Sequence, residues 1–284
     1  MNISLNNLSL KYSPKGKPAL DGITGEIKPG LHLLLGENGA GKTSLLHIIA
    51  GLRFPTEGSC LIDGDEPRRR KPGLMRRIGF MEDSSDFTQK TISRMIDTHA
   101  CLYPNFDSDR LREMLDSFGI PFDAKLNALS LGNRHKAMAA YIMSLQTDIL
   151  LLDEPANGLD IESKETLQRL IADVATPERT IIVSTHNYAD LQNLFDSVMV
   201  MKSGRLQTIT DIDTLTRRLL FVSNPEESDL EDALYVYHHG MSTVAILPND
   251  CGEESAPHFG AFYSALHSDK APLIINALKA TDQQ

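Results

Sequence analysis

The chain alternates short apolar runs with longer stretches in which apolar residues recur three and four positions apart. Ile3, Leu5, Leu8 and Leu10 begin a β-rich region that passes a turn at Pro14-Lys15-Gly16, resumes from Ile23 to Ile27 and turns again at Pro29-Gly30. Leu31 to Leu35, closed by glycine on both sides, has the pattern of a buried strand. Ser44 to Gly51 reads as a helix ended by its glycine, and Cys60 to Ile62 as a strand leading to an Asp63-Gly64 turn. From Thr91 to Ser117 the spacing is helical, with Ile92, Met95, Ile96 and His99, then Leu111, Met114, Leu115 and Phe118, on shared faces. A second α/β stretch follows: a helix from about Arg134 to Leu145, a strand from Ile149 to Leu152 and a helix from Ser163 to Val174. Strands from Thr180 to Ser184 and from Val198 to Met201 complete it, turning at Lys202-Ser203-Gly204. Strands alternating with helices of this length predict a mainly parallel sheet covered on both faces.

Beyond Asp211 the pattern changes to a helix, an acidic loop from Pro225 to Asp232, two strand-like runs, Ala233 to Tyr237 and Thr243 to Leu247, and a final helical segment. The chain thus divides into a large unit over 1–210, with a helical insert at about 84–147, and a small α+β tail over 211–284. His238-His239 in the tail reads as a surface turn, since no third ligand stands at metal spacing.

Composition narrows the function classes. Of 284 residues, 41% are hydrophobic and 23% charged, with a net charge of −10, so the chain is globular and repels nucleic acid on average; no nucleic-acid partner is expected. Most of the excess negative charge lies in the tail. Arg68-Arg69-Arg70-Lys71 with Arg76-Arg77 is the one basic cluster, and it reads as a solvated loop. No run approaches the roughly 18 apolar residues of a membrane-spanning helix. The opening residues lack the pattern of a secretory signal, so a cytosolic location is expected. Cys60, Cys101 and Cys251 are scattered, as reduced thiols would be rather than a disulfide framework or a zinc site.

Gly36-Glu37-Asn38-Gly39-Ala40-Gly41-Lys42-Thr43 fits GxxxxGK[ST] between a predicted strand and a predicted helix. Such a loop, with Ser44 behind it, folds its backbone N–H groups into a nest for phosphate oxygens. Lys42 then neutralises the outer phosphates and Thr43 offers Mg²⁺ a hydroxyl. Ile149 to Pro155 delivers two adjacent carboxylates at a strand's C-terminal end, where ligands sit in open α/β sheets. Asp153 fits the magnesium side, and Glu154 fits the base that orients water for attack on the γ-phosphate.

With Leu129-Ser130-Leu131-Gly132-Asn133 between them, the order of glycine loop, helical insert, Leu-Ser-x-Gly and strand-Asp-Glu-Pro resembles the ATP-binding cassette (ABC) ATPases over roughly Met1 to Thr210. The resemblance implies a P-loop NTPase fold of ABC type, with an N-terminal antiparallel β region beside the mainly parallel core sheet. It also implies that Tyr12 stacks on adenine, that Asn157 to Asp160 communicates across a dimer, with Asp160 at the nucleotide, and that His186 touches the γ-phosphate. Two such domains pair head to tail around two ATP molecules, each held by one chain's glycine loop and by the other's Ser130 and Gly132. Leu131 and Asn133 depart from the family's commoner glycine and glutamine. Asp83 occupies the place of a glutamine that contacts magnesium and the membrane partner, which predicts altered coupling.

Cys101 to Asp107, the Leu-Ser-Leu-Gly signature and Ala271 to Leu278 resemble the ATPases of bacterial ABC-2-type exporters. The implied function is an ATP-hydrolysing subunit, requiring ATP and Mg²⁺, that pairs with itself or another ABC ATPase. It docks on separate integral-membrane permease subunits at the inner face of the membrane. The alternative is a soluble ABC ATPase of a cytosolic assembly complex. The tail is then a regulatory unit, a dimer-stabilising unit or a cap on the sheet edge, dimer stabilisation being favoured.

Overall fold

The computed structural model describes residues 1–83, 87, 89–186, 194–240 and 242–279. Strands β1 (Ile3–Leu10) and β2 (Leu20–Ile27) pair antiparallel; β3 (Gly30–Leu35) leads through the glycine loop into helix α1 (Lys42–Ile49), and β4 (Glu57–Ile62) returns to the free edge of β1. A short α2 (Pro72–Met75) precedes β5 (Ile78–Met81). The helical insert holds α3 (Ile92–Thr98), α4 (Ser108–Ser117) and α5 (Leu131–Ser144); its predicted opening at 84–86 and 88 lies outside the described residues. Then follow β6 (Ile149–Asp153), α6 (Ile161–Val174), β7 (Thr180–Thr185), β8 (Ser197–Lys202) and β9 (Arg205–Asp211).

The central sheet has the order β5-β6-β7-β3-β8-β9, parallel throughout except for β9. Its strands sort their side chains by the two-residue period of the pleat. Leu31, Leu33, Leu35, Leu150, Leu152, Ile181 and Val183 join the core shared with the helical insert and α6. Leu34, Ile149, Leu151, Ile182, Met199 and Met201 face the opposite core, under α1 and the antiparallel sheet β2-β1-β4. Both faces are covered, as the apolar runs predict.

The helices begin earlier than periodicity alone suggests, because polar caps start them. Ser130 accepts from Asn133 N–H at 3.3 Å and starts α5 at Leu131; Asp160 accepts from Ser163 N–H at 2.8 Å and starts α6 at Ile161. The predicted helical stretch from Thr91 to Ser117 is broken by a 3₁₀ turn (Ala100–Leu102) and a further turn at Pro104-Asn105, after which Asp107 caps α4. The basic cluster is solvated but paired: Arg68 and Arg69 each reach Glu66 at 2.9 Å, and Arg77 reaches Asp148 at 2.5 Å. The three cysteines are free, with Cys60 buried. Arg179 is buried, donating to the carbonyls of Thr147 at 2.6 Å and Val174 at 3.0 Å, and desolvation pulls its guanidinium down to about 10.

The tail differs most from expectation. It holds α7 (Ile212–Arg218), β10 (Leu219–Ser223), α8 (Glu227–Asp232), β11 (Tyr235–His239), β12 (Ser242–Pro248), α9 (Phe259–His267) and α10 (Ala271–Lys279). The predicted acidic loop contains α8, started by a reciprocal box between Glu226 and Asp229, and His238-His239 end a strand rather than form a turn. Strand β10 and helix α9 have no counterpart in the pattern reading. The sheet β10-β12-β11 is separate, yet Leu215, Phe221, Ile246, Phe259, Phe262 and Leu266 belong to the same continuous core as Val198 and Val200.

Phe262, fully buried in that shared core, gives a direct check. Phe262→Ala is expected to cost about 3–5 kcal/mol. Calorimetry of the variant should show one transition moved to lower temperature for the whole chain; independent melting of the tail would contradict a shared core.

Candidate functional site

The parallel register sets the ends of β3, β6 and β7 side by side: Leu35 pairs with Thr185 and Asp153 with Ser184. The glycine loop leaves the first of these ends, the two carboxylates the second, and His186 the third. Within the loop, Gly41 has φ 105°, and a side chain there would lie 2.6 Å from the Ala19 carbonyl oxygen, so the turn into α1 admits only glycine. Gly39, at φ 82°, has nothing within 4 Å of the Cβ position, leaving a bare backbone face that a phosphate can approach. Gly36 and Ala40 are buried beneath the loop, while Glu37 and Asn38 are exposed.

Lys42 is 5% exposed, and its ammonium donates to the Gly36 carbonyl at 2.6 Å while lying 3.1 Å from Glu154 Oε1. Glu154 Oε2 lies 2.9 Å from His186 Nδ1 and accepts from the His186 N–H at 3.3 Å. Lysine, glutamate and histidine therefore form one chain of contacts across three strand ends. Glu154 holds a left-handed backbone, φ 49°, unfavourable for a residue with a side chain. Its N–H is held between the Ser184 carbonyl, at 3.1 Å, and the Ser184 hydroxyl, at 3.2 Å.

Asp153 is almost wholly buried; one oxygen accepts from Thr43 Oγ1 at 2.6 Å and the other from the Ser184 hydroxyl. Burial raises its carboxyl above the ordinary range, opposed by those two donors. Thr43 and Asp153 together present hard oxygen donors beside the phosphate nest. That suits Mg²⁺, which takes one or two protein oxygens and completes its shell with phosphate and water.

Tyr12 is 58% exposed, its hydroxyl 2.9 Å from Ser44 Oγ and the Arg53 guanidinium 5.5 Å from its ring centroid. Ser130, Gly132 and Asp160 lie together elsewhere. Both Ser130 and Asp160 cap helices, and a Cβ on Gly132 would sit 3.5 Å from the Gly158 carbonyl oxygen. Their hydrogen bonds run within their own turns, not to residues 36–44. Donation from Ser163 holds the Asp160 carboxyl below its usual range. Leu131 and Ile161 beside them are 68% and 78% exposed.

The Asp83 carboxylate accepts from Asn157 Nδ2 at 3.0 Å, and the Asp83 carbonyl oxygen lies 2.8 Å from His135 Nε2. Before it, Glu82 lies 3.0 Å from His47 Nε2. Sequence reasoning gave Ser184 no role of its own, although it serves both acidic residues; the hydroxyl two positions before His186 was the available signal. Ser184→Ala should therefore weaken Mg²⁺-nucleotide binding by about tenfold in titration calorimetry. Loss of the donor should also raise the Asp153 pKa further, moving the acidic limb of binding to higher pH. An unmoved limb would contradict the arrangement.

Comparison with known proteins agrees with this geometry. A family profile described as ABC transporter matches residues 20–157. The energy-coupling factor transporter ATP-binding protein EcfA2 of Thermotoga maritima is 31% identical over 213 residues, covering 72% of this chain and 79% of its own. Among solved structures, cbiO1 from Clostridium perfringens, part of the ABC transporter complex cbiONQ, superposes with a TM-score of 0.59 at 26% identity, covering 74% of this chain and 88% of its own. The dimeric ATP-binding cassette MJ0796 in a post-hydrolysis state with ADP and phosphate shares the fold, with a TM-score of 0.63 at 22% identity over 74% of this chain and 98% of its own. A phosphate loop, a helical insert and paired strand-end carboxylates in this order, matched by such relatives, place the chain in the ABC transporter family, as one of its ATP-binding proteins.

Proposed function

We propose that the chain is the ATP-hydrolysing subunit of an ABC exporter, which closes on a second ATP-binding subunit and drives separate membrane subunits from the cytoplasmic face. The observation that carries this reading is the chain of contacts from Lys42 through Glu154 to His186, set beside the Thr43–Asp153 pair. Lys42 exchanges its Glu154 contact for the outer phosphate oxygens of ATP, which frees the carboxylate. Glu154, fixed by its Ser184-held backbone, then takes a proton from the attacking water. His186 holds that carboxylate from the other side and reaches the γ-phosphate. Thr43 and Asp153 would hold Mg²⁺, which would supply neutralisation of the phosphate charge.

Tyr12, with its ring exposed beside Ser44, offers adenine a stacking face. Ser130, Gly132 and Asp160 serve the partner subunit's nucleotide. Supporting this, Ser130 and Asp160 bond within their own turns, and the neighbouring apolar side chains of Leu131 and Ile161 are exposed. Asp83 acts as a link, joining the end of β5 to α5 and to the Asn157 turn. No helix among the described residues is long and apolar enough to cross a membrane, so the translocation path belongs to other chains in this reading. The exporting direction rests on the Cys101–Asp107 segment and the Leu-Ser-Leu-Gly signature.

Glu154→Gln is expected to lower ATP turnover by about a hundredfold or more while leaving ATP binding intact, and to accumulate an ATP-bound dimer visible by light scattering. Lys42→Ala should abolish ATP binding in a fluorescent-nucleotide titration. Affinity purification from detergent extract should bring down a hydrophobic permease subunit with the wild-type chain; its absence would favour a soluble assembly ATPase.

A further inference from the structure

Helix α9 comes from the tail, yet one of its side chains reaches the phosphate loop. Phe259, Phe262, Ala265 and Leu266 turn one face of the helix into the shared core. Tyr263 and His267, four apart, share another face and stack with ring centroids 3.9 Å apart at 29°. The stack is pinned at both ends. His267 Nδ1 lies 2.9 Å from the Tyr263 carbonyl oxygen, and Lys202, the last residue of β8, donates from its ammonium to the His267 carbonyl at 2.9 Å, a cation placed on the C-terminal turn of a helix.

Tyr263 thereby forms one wall of a cavity of about 170 Å³ whose other walls include Gly36, Glu37, Asn38 and His186. These are the opening of the phosphate loop and the histidine of the Glu154 contact. Burial, with the charge of Glu37 added, pushes the Tyr263 phenol up to about 12, so it stays neutral and presents an uncharged wall to a highly charged site. The remaining walls of this cavity, Leu35 and Thr185, are the last residues of β3 and β7.

We propose that Tyr263 is a positioning residue for nucleotide binding: braced by His267, its ring closes the cavity lined by Gly36 to Asn38 and His186, and through it the tail is coupled to ATP. The inference rests on the ATP-hydrolysing reading above. A loop whose backbone must aim several N–H groups at phosphate loses affinity when its support is removed, because the ordering must then be supplied on binding. By linkage, ATP must in turn stabilise α9.

The test uses the full chain and steady-state ATP hydrolysis. Tyr263→Ala should raise KM for Mg-ATP by about tenfold with kcat within about twofold of wild type, His267→Ala should raise it less, and Tyr263→Phe, which keeps the ring but loses the phenol's bond to the Glu37 backbone, should restore it in part. An unchanged KM in Tyr263→Ala, or a fall confined to kcat, overturns the proposal. Should Tyr263→Ala fail to fold, hydrogen exchange on the wild-type chain decides: amides of α9 should exchange more slowly with a non-hydrolysable ATP analogue and Mg²⁺ than without, and equal rates overturn the coupling. A wild-type chain that binds no ATP would instead overturn the parent reading, and this inference with it.

Discussion

The parallel register of the central sheet is the constraint on which the site depends. Parallel strands all point their C-terminal ends to one edge, and pairing Leu35 with Thr185 and Asp153 with Ser184 brings three of those ends level. A loop, two carboxylates and a histidine from distant parts of the chain arrive within hydrogen-bonding distance as a result. A slip of one residue in β6 would turn Asp153 to the other face of the sheet, since the pleat has a period of two. The apolar sorting of Leu150 and Leu152 to one core and of Ile149 and Leu151 to the other fixes that register.

Charge at the site is balanced by contact rather than by solvent. Lys42, Asp153 and Glu154 are each at most 9% exposed, so none is left to water. Each has a polar partner: Lys42 faces Glu154, Glu154 faces His186, and Asp153 accepts from Thr43 and Ser184. Removing one partner from such a buried set leaves another uncompensated, which is why single changes here have large effects. The left-handed backbone at Glu154 belongs to the same design, with Ser184 holding a conformation the local sequence would not choose.

The tail shows how a compositional boundary can mislead about packing. Residues after Asp211 are acidic and patterned unlike those before, and their sheet is separate. Their apolar side chains nevertheless complete a core that β8 begins, and α9 carries Tyr263 to the mouth of the phosphate loop.

Much of this was legible along the chain. The glycine loop, the Asp153-Glu154 pair, the Ser130 signature and His186 are local motifs, because backbone conformation and strand-end chemistry demand particular residue types at fixed spacing. The buried strands were legible for the same reason, as runs of apolar residues closed by turns. Helix starts were misplaced by a few residues because Ser130 and Asp160 act as caps, a polar contribution that apolar periodicity does not register. The roles of Ser184 as a shared hydroxyl, of Asp83 as a partner of Asn157 and of Tyr263 as a wall of the site depend on side chains brought together from distant parts of the sequence. Local pattern determined which candidate residues this protein presents at its loop and strand ends; tertiary packing decided which of them touch, because those contacts span strands and layers whose proximity exists only once the cores have formed.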